Sequence, residues 1–450
     1  MTRPESRASM LQRLAILTAA VAAGTALAPQ AALAANPQCQ TWVSSIAYVG
    51  GDTAIRNGVS YKANWWTQGQ DPTTNNGGAG SGQPWTQITS CSTTPPPPTP
   101  APPPPTPAPP PPTPAPPPPT PTPPPPSPTP APPPSGHWLV GYWHNFTNPS
   151  GATFPISQVS SNWDTIIVSF ADNAGNGNIS FTVDPNAGTD AQFIADVAAK
   201  RKAGKKVVLS VGGQNGSISL DNATMVTNFV NSAYAIIQKY GFDGIDLDLE
   251  TGVSQNTALQ ANLVTAMRQL KAKVGSSFYL SMAPEHPYVQ GGYVAYGSIW
   301  GAYLPIIDAL RNDLTEIHVQ YYNNGGFTYD NASNQQVQEG TVDGLVAGSL
   351  MLIEGFSVAY GTGWHFNGLR PDQVAFGVPS GPSSANTGFV TSTVVANTLN
   401  CLTKLQGCNT IKPAQAYPTF RGAMTWSINW DKHDGYNFSV PTRAALNALP

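Results

Sequence analysis

The sequence predicts an α/β protein: a (β/α)8 barrel, of the TIM type, with a small all-β module attached through a proline-rich linker. Three observations carry that expectation. Short apolar or alternating runs recur through 137–450 with helix-like stretches between them. A proline tract fills 92–135. An aromatic-rich segment bracketed by Cys39 and Cys91 precedes the tract.

Residues 1–34 read as a signal peptide. Arg3, Arg7 and Arg13 precede the apolar run LAILTAAVAAGTALA, and ALA at 32–34 offers small residues for cleavage. That run is too short and too alanine-rich for a good membrane span. The protein is therefore expected to be secreted, extracellular and without a membrane partner. The formal net charge is −3, with no basic footprint for nucleic acid. A monomer is expected.

Residues 36–91 form the small module. A domain of this size buries a modest core and usually needs a staple. A Cys39–Cys91 disulfide would tie its ends, and Cys401–Cys408 would be the second pair, as suits an oxidising destination. Four cysteines allow three connectivities. Metal binding is the rival reading of these cysteines. There is no CxxC and the six histidines are scattered, so neither a metal nor another cofactor is expected. Trp42, Tyr48, Tyr61, Trp65, Trp66 and Trp85 are more aromatics than such a core can hide. Trp42, Trp85 and one of the adjacent pair suffice for it. Neighbours on a strand point to opposite faces, so Trp65 and Trp66 should not both be buried.

The stretch YKANWWTQGQDP, followed by QPWTQITSC, resembles the carbohydrate-binding modules of families 5 and 12. That resemblance implies binding of a polysaccharide through solvent-facing aromatics, with Tyr61, Trp65 and Trp66 as the candidates.

The linker at 92–135 is repeated Pro with Thr and Ala. Proline fixes φ and removes the amide donor, so this tract forms an extended, semi-rigid spacer.

The barrel, 137–450, is read from eight strand-like runs: LVGYWHN at 139, DTIIVSFA at 164, KVVLSVGG at 206 and FDGIDLDLE at 242, then FYLSMAPE at 278, EIHVQYYN at 316, QVAFGVPS at 373 and GAMTWSINW at 422. Between them, DAQFIADVAAKRKAG, MVTNFVNSAYAIIQKYG and LQANLVTAMRQLKAKVG carry helical patterns and end near glycine. A doubly wound open sheet is the structural rival, but no GxGxxG follows the first strand.

The chemistry concentrates in GFDGIDLDLE, 241–250, within a chain that is only 10% charged. On a strand, alternate residues share a face. Asp246, Asp248 and Glu250 point one way; Ile245, Leu247 and Leu249 point the other. Neighbours on one face are roughly 6.5–7 Å apart. Three ionised carboxylates so placed in a dry interior repel, so at least one should hold a proton near neutral pH. Glu250 is the last acid, at the barrel mouth where active sites lie. It is the natural proton donor, its pKa raised by its neighbours and by burial. Asp243 is out of phase and reads as structural. A calcium loop is excluded by the intervening Ile and Leu and by the missing DxDxDG spacing.

DGIDLDLE resembles the signature of the family 18 glycoside hydrolases, the chitinase family. LSVGG at 209–213, MAPE at 282–285, QYYN at 320–323 and MTWSINWD at 424–431 match further motifs of that family. The resemblance implies a substrate-assisted retaining mechanism on chitin or chitooligosaccharides, without a carboxylate nucleophile. It implies Glu250, Asp248, Asp246 and Tyr322 as catalytic residues. Asp246 would share a proton with Asp248, and Trp426, Gln320, Asn323, Glu285 and Met282 would bind substrate. Ser210, Gly212 and Gly213 would support strand packing. Only about forty residues lie between GVPS and GAMTW, too few for the inserted domain of some family members, which implies an open cleft and endo action. Two alternatives stand beside this reading: a chitin-binding lectin on the same barrel, which the presence of Glu250 disfavours, and an endo-N-acetylglucosaminidase on glycoprotein glycans.

Overall fold

The computed structural model describes residues 40–44, 47–48, 52–63, 67–77, 83–89, 136–214, 216–255, 257–331, 333–359 and 362–450. The expected signal peptide, the Cys39–Cys91 pair, Trp65, Trp66 and the linker lie outside the described residues. The chain divides into two compact units, one within 1–122 and the other within 123–450.

In the first unit, Gln40–Thr41, Thr53–Arg56, Val59–Ala63 and Trp85–Ile88 make a four-stranded sheet. Ala47–Tyr48 pairs antiparallel with Thr67–Gln68. Trp42, Tyr48, Ala54, Tyr61, Ala63 and Trp85 form the core. Tyr61 therefore departs from the expectation of a solvent-facing sugar platform: it is 4% exposed. The pleat explains why. Tyr61 and Ala63 share the inward face, while Lys62 between them is exposed. Ala63 stands opposite Trp85, whose indole N–H donates to the Gln70 carbonyl at 2.8 Å.

The second unit is built on eight parallel strands: β1 (Trp138–His144), β2 (Thr165–Gly175), β3 (Lys206–Gly212), β4 (Gly244–Asp248), β5 (Tyr279–Met282), β6 (Glu316–Gln320), β7 (Val374–Pro379) and β8 (Gly422–Trp426). Each pairs with the next, and β8 closes onto β1, giving the barrel. Each strand overlaps one of the eight runs read from the sequence. The helices are α1 (Asp190–Lys202), α2 (Ala223–Tyr240), α3 (Ala258–Val274), α4 (Leu304–Leu310), α5 (Val342–Glu354), α6 (Ser392–Lys404), α7 (Ile428–His433) and α8 (Ser439–Asn447).

Local chemistry sets the helix ends. The Asn222 side chain accepts the Met225 N–H at the start of α2, and Gly241 closes that helix at φ 74°. Cys401, on α6, is bonded to Cys408, as the sequence spacing suggested.

Alternation along the strands divides the core. Ile245, Leu247 and Leu249 join the layer between barrel and helices. Trp138, Val140, Tyr142, Tyr279, Ala283 and Met424 fill the barrel interior. Asp243 is structural: its carboxylate accepts the Val207 N–H at 2.9 Å and pairs with Arg201 at 3.2 Å.

Candidate active site

β4 aims the acid ladder up the barrel axis. Asp246 is fully buried and Asp248 is 3% exposed. Glu250 stands two residues beyond the strand end and is half-buried.

Asp246 is held by hydroxyls from three strands. Its Oδ2 accepts Tyr142 Oη of β1 and Ser210 Oγ of β3, both at 2.7 Å, and its Oδ1 accepts Ser281 Oγ of β5 at 2.6 Å. Burial pushes its pKa up, but the His318 imidazole beside it and the bonds from Ser281 and Tyr142 outweigh it and hold Asp246 below the usual carboxylate range. Those oxygens are occupied, and Asp248 turns instead to Gln320.

Gln320 of β6 bridges the two upper acids. Its Nε2 donates to Asp248 Oδ1 at 2.8 Å, to Glu250 Oε1 at 3.2 Å and to the Ala283 carbonyl at 2.9 Å. Burial, then the charges of Glu250, Asp246 and Glu285, push Asp248 well above the usual range. Burial also raises Glu250, aided by Glu285 and opposed by the Gln320 bond. The ladder thus has an acid held low at the bottom and two acids with raised pKa above it, which between them hold a proton, as carboxyls at close quarters do.

The glycines at the end of β3 make room for β4. A Cβ on Gly212 would meet the Asp248 carbonyl oxygen at 2.1 Å, and one on Gly213 would meet the Phe170 ring at 2.7 Å. The Gly213 N–H donates to the Asp248 carbonyl at 2.6 Å.

Tyr322 lies just beyond β6 and is 6% exposed. Burial, then the charges of Asp248 and Glu250, keeps its hydroxyl protonated far above the usual phenol range. The loop before α6 packs on it: a Cβ on Gly388 would stand 2.6 Å from the Tyr322 Cβ. Glu285 is half-buried, accepts Asn324 Nδ2 at 2.7 Å, and lies near enough to raise Asp248, Glu250 and Tyr322 by its charge. Asn323 is exposed and tied to that same loop. Its N–H donates to Thr387 Oγ1 at 2.9 Å, and its Oδ1 accepts the Asn386 N–H at 2.8 Å.

Met282 does not belong to the site. It is fully buried in the layer between barrel and helices. Ser281 reaches Asp246, so its neighbour on β5 must face outward.

Across the mouth from β6 stands an aromatic wall. The partly buried Trp426 ring stacks on Phe170 at 6.0 Å and lies 5.7 Å from Tyr142 and 4.6 Å from His144. His144 in turn stacks on Phe146 at 4.7 Å. Burial pushes the His144 pKa down to about 3, so this ring is neutral and behaves as an aromatic. The sequence reading found Trp426 but missed Phe146, Phe170, Tyr142 and His144. The signal was legible: all four sit in or just after the first two strand runs, which lead to the mouth where barrel sites are assembled. Tyr288 is 5% exposed and donates to the Glu250 carbonyl at 2.7 Å, fixing the acid's backbone.

Residues 380–421 hold α6 and connecting loops, and no strand lies among these described residues. Among the described residues no helix is long and apolar enough to cross a membrane.

Residues 138–439 match the model of the glycosyl hydrolases family 18, and residues 41–86 match that of the carbohydrate-binding module family 5/12. The chain is 43% identical over 333 residues to Chitinase Chi52 of Paenibacillus xylanexedens, covering 70% of this chain and 63% of that protein. It is 42% identical over 334 residues to Chitinase D of Niallia circulans, with the same coverage. The chain thus spans less than two thirds of the length of these curated relatives. The crystal structure of a family GH18 chitinase from Chromobacterium violaceum is 55% identical, with a TM-score of 0.69, over 91% of this chain and all of that one.

Proposed function

The chain belongs to the glycosyl hydrolases of family 18, and on that premise we propose that it is a secreted chitinase. It hydrolyses β-1,4 linkages between N-acetylglucosamine units and cuts within chains. The observation that carries the reading is the acid ladder: Glu250 at the mouth with a raised pKa, sharing the Gln320 amide with a buried, proton-retaining Asp248.

In this reading the acetamido oxygen of the −1 sugar attacks its own anomeric carbon and forms an oxazolinium ion. Glu250 gives its proton to the leaving oxygen and then takes one from the water that opens the ring. Asp248 orients the acetamido N–H. Tyr322 donates to the acetamido carbonyl, and Trp426 is the floor beneath the sugar. Glu285 and Gln320 complete the polar side. The module holds the enzyme on the polymer, with Trp65 and Trp66 as its candidate contacts. Relatives named chitinase support this substrate. The absence of a strand between 380 and 422 supports an open cleft.

The test is product analysis on colloidal chitin beside a high-mannose glycopeptide, with viscosity of a soluble chitin derivative followed against reducing ends. Chitooligosaccharides with an early fall in viscosity are expected. Release of glycans from the glycopeptide alone overturns the substrate. Slow viscosity loss with steady disaccharide release overturns endo action.

A further inference from the structure

Beneath the acid ladder the barrel holds a second charged row. Alternation on β6 points Glu316, His318 and Gln320 inward together. Glu316 and His318 are completely buried. His318 Nε2 stands 3.5 Å from Asp246 Oδ1, and His318 Nδ1 stands 3.5 Å from Glu316 Oε1. These are ion-pair distances, longer than the hydroxyl bonds to Asp246. Tyr142 Oη lies 3.3 Å from His318 Nε2. Tyr279 Oη donates to Glu316 Oε1 at 2.7 Å, and Thr165 Oγ1 lies 3.4 Å from that Tyr279 oxygen.

One imidazole therefore separates two buried carboxylates, with one ring nitrogen toward each. A neutral imidazole has a single N–H and would turn a lone pair toward one of them. An imidazolium carries a positive charge with two N–H groups and stands at ion-pair distance from both. An unpaired buried carboxylate is costly and neutralises instead. The groups around the ring leave little other compensation. β1 brings Tyr142, β2 Thr165, β3 Ser210, β4 Asp246 and Asp248, and β5 Tyr279. β7 carries no titratable side chain. Arg421, at the foot of β8, sits over the Trp138 ring at 4.2 Å, and its charge acts on Tyr279.

We infer that His318, paired with Glu316, is a positioning residue for the reaction: an internal cation that fixes Asp246 as an anion and leaves the exchangeable proton to Asp248 and Glu250. The inference rests on the reading of those two acids as catalytic. Charge balance favours it. Burial alone would lower the His318 pKa, but Asp246 and Glu316 outweigh it and lift it to about 9. An anionic Asp246 is in turn among the charges that raise Asp248.

Two measurements test it. The first is a pH titration of the imidazole resonances in the full-length wild-type chain labelled at histidine, which does not depend on activity. One of the six histidines is expected to stay protonated past pH 8, and its signal to be lost in His318→Gln. Glu316→Gln is expected to move that titration to lower pH, and Glu316→Asp to restore part of the shift. If every imidazole is neutral by pH 8, the inference fails, whatever the enzyme's substrate proves to be. The second is the pH profile of kcat on chitooligosaccharide. Removing an opposite charge at this range raises a carboxylate by about 1–3 pH units. His318→Gln is therefore expected to move the acidic limb of kcat upward by about that much, with KM little changed. A folded His318→Gln with the wild-type acidic limb overturns the positioning role. Should that variant fail to fold, the wild-type and Glu316→Gln titrations still decide the charge, and the Glu316→Gln acidic limb decides the role. Absence of any chitin hydrolysis by the wild type would instead overturn the substrate reading and leave the titration standing.

Discussion

Gly212 lies under Asp248 so closely that a Cβ added to it would stand 2.1 Å from the Asp248 carbonyl oxygen. The contact is with backbone, which cannot swing aside, and Gly212 has φ 120°, a conformation L side chains rarely adopt. The end of β3 is therefore the mould in which the acid ladder is set.

Gly212→Ala is expected to cost stability and activity together. Overpacking of a tight interior commonly costs about 1–3 kcal/mol, and an unfavourable backbone adds to it. Urea unfolding should show a lower midpoint, and kcat should fall because Asp248 is displaced. A wild-type midpoint and kcat would contradict the mould.

Glu250→Gln should nearly abolish hydrolysis of chitooligosaccharides while leaving binding in place. Loss of one positioned proton donor costs about 10²–10⁴-fold or more. Glutamine keeps the shape and can still bond to Gln320, so the fold should be unaffected. Retention of most of the turnover would move the acid elsewhere. Binding is read from a chitin pull-down and from oligosaccharide calorimetry.

Asp248→Asn should stabilise the protein, by an amount that grows with pH. The folded pKa of Asp248 lies well above its ordinary 3.8. Below that ordinary value both folded and unfolded chains carry the proton, and burial costs nothing in charge. Above it, the unfolded chain releases the proton while the folded chain retains it, so stability falls with rising pH. Asparagine removes that slope. Thermal melts of the two proteins from pH 4 to pH 8 should diverge, the variant gaining a few degrees at the alkaline end. Parallel curves would mean that Asp248 ionises as an ordinary carboxylate.

Deletion of residues 36–91 should reduce activity on crystalline chitin far more than on short soluble oligosaccharides. A tethered module raises local concentration and adds no chemistry. The two rates should be measured side by side on the same preparations. Equal losses on both substrates would show the first unit to be needed by the barrel itself.

Much of this was legible in the sequence. Eight runs with period-two or continuous apolar character, separated by helical patterns, are what a closed parallel barrel demands of a chain. Strand alternation alone put Asp246, Asp248 and Glu250 on one face and their apolar neighbours on the other. The same rule, applied to EIHVQ, would have shown Glu316 and His318 inward beside Gln320; applied to YLSM, it would have turned Met282 outward.

The succession of strands and helices and the face each residue takes can be read along the chain, because backbone geometry is local. Which faces meet depends on how the chain closes in space. Tyr142, Ser210 and Ser281 lie far apart in the chain and converge on Asp246 because the barrel closes. The same closure puts His318 between Asp246 and Glu316. It makes His144 an aromatic beside Trp426. In the small module, packing with Trp42, Tyr48 and Trp85 takes Tyr61 out of solvent. Proton affinity and exposure depend on neighbours through space, which alternation along one strand cannot supply.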